Sequence, residues 1–386
     1  MSTVVSVEQL HALLPDLVAE ARSRGPEFEA ARQLAPEFAN KLKRAGLARL
    51  LVPQQAGGLG CSLPDWLEVM MQLAEADAST GWVSAHGSIC SGLIQASADR
   101  AFCAEFFADP LAYASWSNLP RVQVQEREDG LQISGSWAFE SGCTLASHVG
   151  GLVLLPPLSA GAPPRMTVAL VPVAQARIEK TWDPIGLGGT GSHDVHFDDV
   201  FVPRYRTFTW PAVAPVSNYP AAIFVPGTWF ISNGAAATHL GLARRALDEA
   251  RQELQGKLDR YTQQPLLKHP ATQRSLEAAE GLWYACRAGL REALHSVWAS
   301  ALRGQALSAE QRVHVRVAAV TAVQQSASIV RVAYDTAGAS AVRRSGVLER
   351  LLREASCLTH HVSVNLTSLE LTGRVRSGVE ALSLSI

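Results

Sequence analysis

The chain has no paired-cysteine spacing. Its six cysteines, Cys61, Cys90, Cys103, Cys143, Cys286 and Cys357, lie far apart with no C-x-x-C step. That argues against a zinc ribbon or a disulfide framework and predicts free thiols in a reducing compartment. No stretch approaches the roughly 18 uncharged apolar residues of a membrane-crossing helix. The opening segment from Met1 to Gly25 carries polar side chains throughout, without the basic and then apolar regions of a secretory signal. A cytoplasmic location is the expectation. Charge is also scarce: 18% of residues are charged, the formal net charge is -1, and no long single-sign run occurs. No electrostatic footprint for nucleic acid or an anionic membrane follows from that. What is abundant is apolar material. With 386 residues, 47% of them hydrophobic, the chain can bury a sizeable core over several subdomains.

The order of patterns predicts an α+β protein. Helical periodicity covers 1–115: Phe38, Leu42, Leu47 and Leu50 form a stripe, and Gly46 marks a stop. Leu63 to Ala85 reads as one further helix with Trp66, Val69, Met70, Leu73 and Ala74 on a face. From Tyr113 to Tyr205 short runs separated by Gly, Pro and Asp predict a small antiparallel β-domain, placed at 116–225. These runs include Val122-Gln123-Val124, Leu131 to Ser134, Gly151 to Leu155, Met166 to Val171 and Asp194 to Phe197. Helical periodicity then returns over 226–386, with four long helices expected near 227–257, 270–303, 308–337 and 345–371. The absence of βαβ alternation excludes a Rossmann or barrel enzyme.

Gly186-Leu187-Gly188-Gly189-Thr190-Gly191 satisfies G-x-G-x-x-G literally. The dinucleotide fingerprint, however, needs a strand before it and a helix N-terminus after it. Here Trp182-Asp183-Pro184 precedes and Ser192 to Phe197 follows with strand character, so a Gly-rich bend between strands is expected. His193 and His196 lie three apart on that strand, on opposite faces, and cannot share a metal.

Taken whole, Trp182 to Ser192 leading into Phe197-Asp198-Asp199-Val200-Phe201-Val202-Pro203 resembles the end of the β-domain in acyl-CoA dehydrogenase-like flavoproteins. Other matching segments occur in the family's order. Ala45-Gly46-Leu47 with Pro53 and Gly57-Gly58, then Ala74 to Trp82, resemble its N-terminal helical domain. Gly135 to Phe139 and Ser141-Gly142-Cys143 resemble its flavin-facing strand and turn. Arg260-Tyr261, Gln273 and Asp335-x-x-Gly338 resemble its C-terminal four-helix bundle. The resemblance spans nearly the whole chain and implies the acyl-CoA dehydrogenase-like architecture.

Within that family a dehydrogenase needs a carboxylate to take the substrate α-proton. No carboxylate stands between Glu354 and Glu370, where most members carry it. Arg353 followed eight residues later by His361 is instead similar to the two-component flavin hydroxylases. Those resemble this chain in the Ser141 turn as well, and include 4-hydroxyphenylacetate and steroid-phenol hydroxylases and dibenzothiophene-oxidising enzymes. The branch implies reduced FMN or FAD delivered by a separate NAD(P)H-dependent reductase, and dioxygen activated as a flavin C4a-hydroperoxide kept dry. It implies Ser141 at flavin N5, and His361, with an imidazole near neutral pKa, as the group that holds or accepts a substrate proton. His86 is a second pocket histidine on this reading, with His360 exposed beside His361. Trp137, Gly142, Cys143, Gly338 and Arg260 fall on the cofactor side, Arg260 on the flavin phosphate from a neighbouring subunit. Ordinary roles stand beside each of these: a turn serine, satisfied histidines, a helix-end arginine.

Nine tryptophans, with Trp82, Trp116, Trp137, Trp182, Trp210 and Trp229 in or beside these segments, suggest a flat aromatic substrate, phenolic or indolic. Sulfur or nitrogen oxygenation stays open. Long Ala- and Leu-rich C-terminal helices suggest a homo-oligomer, a tetramer by resemblance. The competing readings are an acyl-CoA dehydrogenase or oxidase with a displaced base, and a non-catalytic scaffold of the same fold.

Overall fold

The computed structural model describes residues 6–159, 161, 164–210 and 228–379. The boundary expected at 225/226 and the side chain of Trp229 lie outside the described residues. Five helices come first: α1 Val7–Ala31, α2 Pro36–Arg44, α3 Leu63–Ala76, α4 Ala78–Ser97 and α5 Arg100–Ala108. Gly46 ends the second of these at φ 78, where a Cβ would strike Leu59 Cδ1, so a left-handed residue without a side chain is required. The single helix expected from Leu63 to Ala85 is two. Asp77 leaves helical geometry (φ -155, ψ 121) and its carboxylate accepts from Thr80 N–H at 2.8 Å and from the Thr80 hydroxyl. An N-cap that satisfies orphan donors restarts the helix more favourably than continuity would.

Seven strands follow as two antiparallel sheets. One has the order β1 (Pro120–Arg127), β2 (Gly130–Glu140), β6 (His193–Pro203), β5 (Arg177–Glu179). The other has β3 (His148–Leu155), β4 (Arg165–Pro172) and β7 (Thr207–Thr209). Every strand run expected from alternation falls inside one of these. Between Trp137↔Val195 and Glu140↔His193 the β2–β6 register slips by a bulge. There Phe139 takes φ 58, a costly value for a bulky residue.

The last region holds α6 Thr228–Leu254, α7 Pro270–Leu302, α8 Ala309–Ala337, α9 Val347–Leu358 and α10 Thr367–Arg376. The fourth bundle helix, expected to run through to 371, stops at Leu358. The cause is local: Ser363 turns its backbone N–H and hydroxyl onto His361 Nδ1 at 3.2 and 2.8 Å, a side-chain closure that competes with the helical ladder. α3 packs closely on α6, where a Cβ on Gly241 would lie 2.5 Å from Met71 O. The loop before β6 presses on α9, where a Cβ on Gly186 would lie 2.6 Å from the Arg353 backbone. Arg353 fastens that junction through Glu349 at 2.7 Å, Glu29, and the Ile185 carbonyl at 2.7 Å. No helix among the described residues is long and apolar enough to cross a membrane.

Candidate active site

Where α4, the end of β2, the Gly-rich loop and the segment after α9 converge, they enclose a cavity of about 370 Å³. Its walls include Trp82, His86, Trp116, Ser141 and His361, five residues that the sequence reading placed at the cofactor or substrate. Phe139, Trp182 and His360 also line it, and with Cys357 they border an adjoining recess of about 350 Å³. Trp82 is the hub. Its indole N–H donates to Ser141 Oγ at 3.0 Å, and its ring meets His361 edge-on at 5.3 Å and His86 at 6.3 Å between centroids.

Ser141 belongs to a chain of hydroxyls whose direction is fixed at its far end. Thr190 donates to the Leu187 carbonyl at 2.8 Å, which uses its only hydroxyl proton. Ser192 must therefore donate to Thr190, at 2.8 Å, and Ser141 must donate to Ser192, also at 2.8 Å. Ser141 accepts from Trp82 and donates to Ser192, so the capacity it retains is one lone pair. Gly142, at φ 77, makes the turn that holds Ser141, and its N–H donates to Thr190 O at 2.8 Å.

His361 is oriented just as firmly. A backbone N–H can only donate, so the Ser363 N–H bond to Nδ1 leaves that nitrogen unprotonated and puts the proton of the neutral ring on Nε2. Burial lowers its pKa to about 4. Against the near-neutral pKa expected for a group that holds or accepts a substrate proton, this imidazole offers an N–H and desolvation opposes its protonation. His86 is lowered to about 4 by burial first and by His361 second, against a hydrogen bond to the Trp116 backbone. The Cys90 thiol also stands beside His86, 3.7 Å from Nδ1 and 3.8 Å from Nε2, and engages this ring. Glu140, behind the wall, is fully buried with Oε1 accepting from Gly150 N–H at 3.1 Å. Desolvation raises its carboxyl well above the usual range, against the Gly150 N–H bond that lowers it.

Several expected site residues lie elsewhere. Trp137 donates to Leu152 O at 2.9 Å and stacks edge-on against Phe197 in the β-domain core. Cys143 sits beside this turn, its thiol on Gly191 O at 3.3 Å, outside the cavity lining. Gly142 is likewise outside the lining and packs on Tyr113. Gly338 ends α8 at φ 74 with open space around it. Arg260 is exposed in the turn between α6 and α7, over Tyr261, and does not reach this cavity within one protomer. His360 is exposed, as expected, yet it follows α9 in a turn and lines the cavity edge rather than pointing away along a helix. Asn118, Phe139, Thr190 and Ser192 were not singled out as site residues. Thr190 and Ser192 stood in the quoted Gly-rich segment, whereas Phe139 owes its position to the bulge, which no local propensity marks.

Comparison with known proteins agrees with this architecture. Residues 9–109 match the acyl-CoA dehydrogenase N-terminal domain and residues 233–366 the acyl-CoA dehydrogenase C-terminal domain. The flavin-dependent monooxygenase oxygenase subunit HsaA of Mycobacterium tuberculosis is 30% identical over 364 residues, 89% of each chain. Indole-3-acetate monooxygenase of Pseudomonas putida is 28% identical over 366 residues, 94% of this chain and 92% of the relative. The crystal structure of 3-HSA hydroxylase from Rhodococcus sp. RHA1 superimposes with a TM-score of 0.86 at 26% identity, covering 98% of both chains. The chain belongs to the acyl-CoA dehydrogenase family. Within that family it is an enzyme of the flavin-dependent monooxygenase class.

Proposed function

We propose that the chain is the oxygenase component of a two-component system. It takes reduced FMN or FAD from an NAD(P)H-dependent reductase and inserts one atom of dioxygen into a small aromatic substrate. The observation that carries this reading is the joining of Ser141, Trp82 and His361 around one aromatic cavity, with no carboxylate in its described lining. A dehydrogenase would need such a base there. The lining fits a flavin ring: Trp82, Trp116, Phe139 and Trp182 offer aromatic walls, and Ser141 offers an acceptor. When bound, the reduced flavin supplies the electrons and the dioxygen activation: substrate, O₂ and reduced flavin yield hydroxylated substrate, water and oxidised flavin.

The chain's own residues bind, orient and keep the site dry. Ser141 holds a donor at the cofactor edge. His361 Nε2–H holds an acceptor on the substrate side, and the aromatic walls exclude water that would divert the reaction to hydrogen peroxide. Relatives named indole-3-acetate monooxygenase and FADH(2)-dependent resorcinol hydroxylase support an indolic or phenolic substrate class. The test is direct. Purified protein receives photoreduced flavin and indole or a phenol without oxygen, then ¹⁸O₂. One ¹⁸O atom in the organic product supports the reading. Flavin reoxidation with hydrogen peroxide alone across a panel of phenols and indoles, or flavin reduction by an acyl-CoA thioester, overturns it.

A further inference from the structure

The cavity combines apolar walls with neutral hydrogen-bonding groups, Ser141, His361 and Asn118 among them, and no Lys, Arg, Asp or Glu in its described lining. Arg316 is held behind the wall, its Nη1 donating to the Ser363 carbonyl at 3.2 Å. The polar groups that remain are specific in sense. His361 offers a donor at Nε2 because Ser363 occupies Nδ1. His86 is already engaged by the Cys90 thiol, 3.7 Å from Nδ1 and 3.8 Å from Nε2. Asn118 carries a buried Oδ1 with no hydrogen-bond partner among the described residues. An unmet carbonyl in such a wall is destabilising until a donor meets it.

We infer that the substrate is an uncharged aromatic carrying an O–H or N–H, and that carboxylate-bearing aromatics are discriminated against. The inference rests on the monooxygenase reading and specifies its substrate. A phenolic hydroxyl both accepts and donates, so it can satisfy His361 on one side and Asn118 on the other. An indole N–H satisfies Asn118 alone. A carboxylate finds no Lys or Arg in the described lining, meets the Asn118 Oδ1 lone pairs with like polarity, and gives up its hydration against Trp82 and Trp116. Burying an unpaired carboxylate is far more costly than burying a neutral hydroxyl that finds its partners. This places the chain apart from relatives named for acids, which include indole-3-acetate monooxygenase of Pseudomonas putida, 28% identical over 366 residues, and p-hydroxyphenylacetate 3-hydroxylase of Acinetobacter baumannii, 26% identical over 393 residues.

The experiment is calorimetric titration of the flavin-loaded protein with two matched pairs, phenol against 4-hydroxyphenylacetate and indole against indole-3-acetate. The neutral member of each pair is expected to bind at least about tenfold more tightly. An acid that binds as tightly as its neutral partner, in either pair, overturns the inference, as does failure of both neutral probes to bind. A third comparison addresses Asn118. Asn118→Leu should weaken phenol several-fold and leave anisole, which lacks the donor, unchanged; equal effects on both overturn the assignment of Oδ1. Binding in the expected order without ¹⁸O product in the turnover assay leaves this assignment standing and removes the monooxygenase reading, so the two fail separately.

Discussion

Trp82 donates its indole N–H to Ser141 Oγ at 3.0 Å, joining α4 of the N-terminal helices to the turn after β2. The bond does more than brace two domains. Because Ser141 already receives this proton and passes its own to Ser192, its remaining capacity is that of an acceptor. The sense of that capacity is decided by Thr190, whose hydroxyl is committed to the Leu187 carbonyl.

Reduced flavin presents an N–H at N5 and oxidised flavin presents a lone pair there. On the proposed reading Ser141 faces this atom, and a hydroxyl that can only accept there favours the reduced form. Thr190→Val removes the acceptor that orients Ser192, frees Ser192 to donate to Ser141, and frees Ser141 to donate outward. The expected outcome is a shift of roughly tenfold in relative affinity toward oxidised flavin, the scale of one hydrogen bond to a strongly polar group. Equilibrium titration of wild type and variant with both redox forms, the reduced form under argon, reads it directly. An unchanged ratio would show that Thr190 does not control the sense of the chain.

On the proposed reading His361 acts by orientation and hydrogen-bond donation. His361→Ala should bind flavin normally while hydroxylation falls about 10²-fold, the cost of misplacing the reacting partner, with hydrogen peroxide accounting for the lost product. His361→Gln keeps an N–H donor and should recover part of the coupling. Full activity in the alanine variant sinks the assignment. A glutamine variant no better than alanine would mean that a base, not a donor, is needed.

Much of this site was readable before any coordinates, and the reasons are physical. Ser141 and Trp82 lie in short motifs where capping and turn chemistry are local, so their segments carry their own signal: Asp77 caps α4, and Gly142 makes the turn. The strand runs were readable because alternation survives in a two-layer β-domain. The break at Leu358 was not, since Thr359 to Val364 keeps enough apolar residues to mimic a helix, and only the Ser363–His361 closure tips the balance. The pKa of His361 was also hidden. Its depression to about 4 comes from burial, which depends on four segments distant in sequence meeting at one point.

That depression sets a pH dependence. A histidine ordinarily titrates near 6.5, whereas His86 and His361 stay neutral until the pH falls through about 4. Substrate binding should therefore be flat from about pH 8 to about pH 5.5, with no inflection near 6.5 from these residues. Stability carries the opposite face of the same linkage. Between about 4 and about 6.5 the unfolded chain binds protons that the folded protein refuses, so this contribution to stability rises with pH across that window and is lost as pH falls. His239, fully buried and also lowered to about 4, adds to the slope. Urea unfolding at pH 5 and pH 7 should show a smaller pH difference in His361→Gln than in wild type. An equal difference in both would place the histidine's folded pKa near its ordinary value.

Arg260 supplies the last prediction, because one protomer alone leaves it without a task. It stands exposed in the turn after α6, away from the cavity. The family resemblance puts an arginine of this segment on the flavin phosphate of a neighbouring subunit, and a planar guanidinium suits bidentate phosphate binding. If a second copy docks so that Arg260 completes its neighbour's site, then flavin affinity and assembly are linked. Arg260→Ala should remain oligomeric and bind reduced flavin roughly ten- to a hundredfold more weakly, the range for hydrogen bonds to a charged group. Riboflavin, which lacks the phosphate, should bind wild type and variant equally. Light scattering establishes the assembly, and parallel titrations with FMN and riboflavin separate loss of a phosphate contact from general damage. A monomer that binds flavin at full affinity, or an Arg260→Ala protein that holds FMN as tightly as wild type, would remove Arg260 from the site.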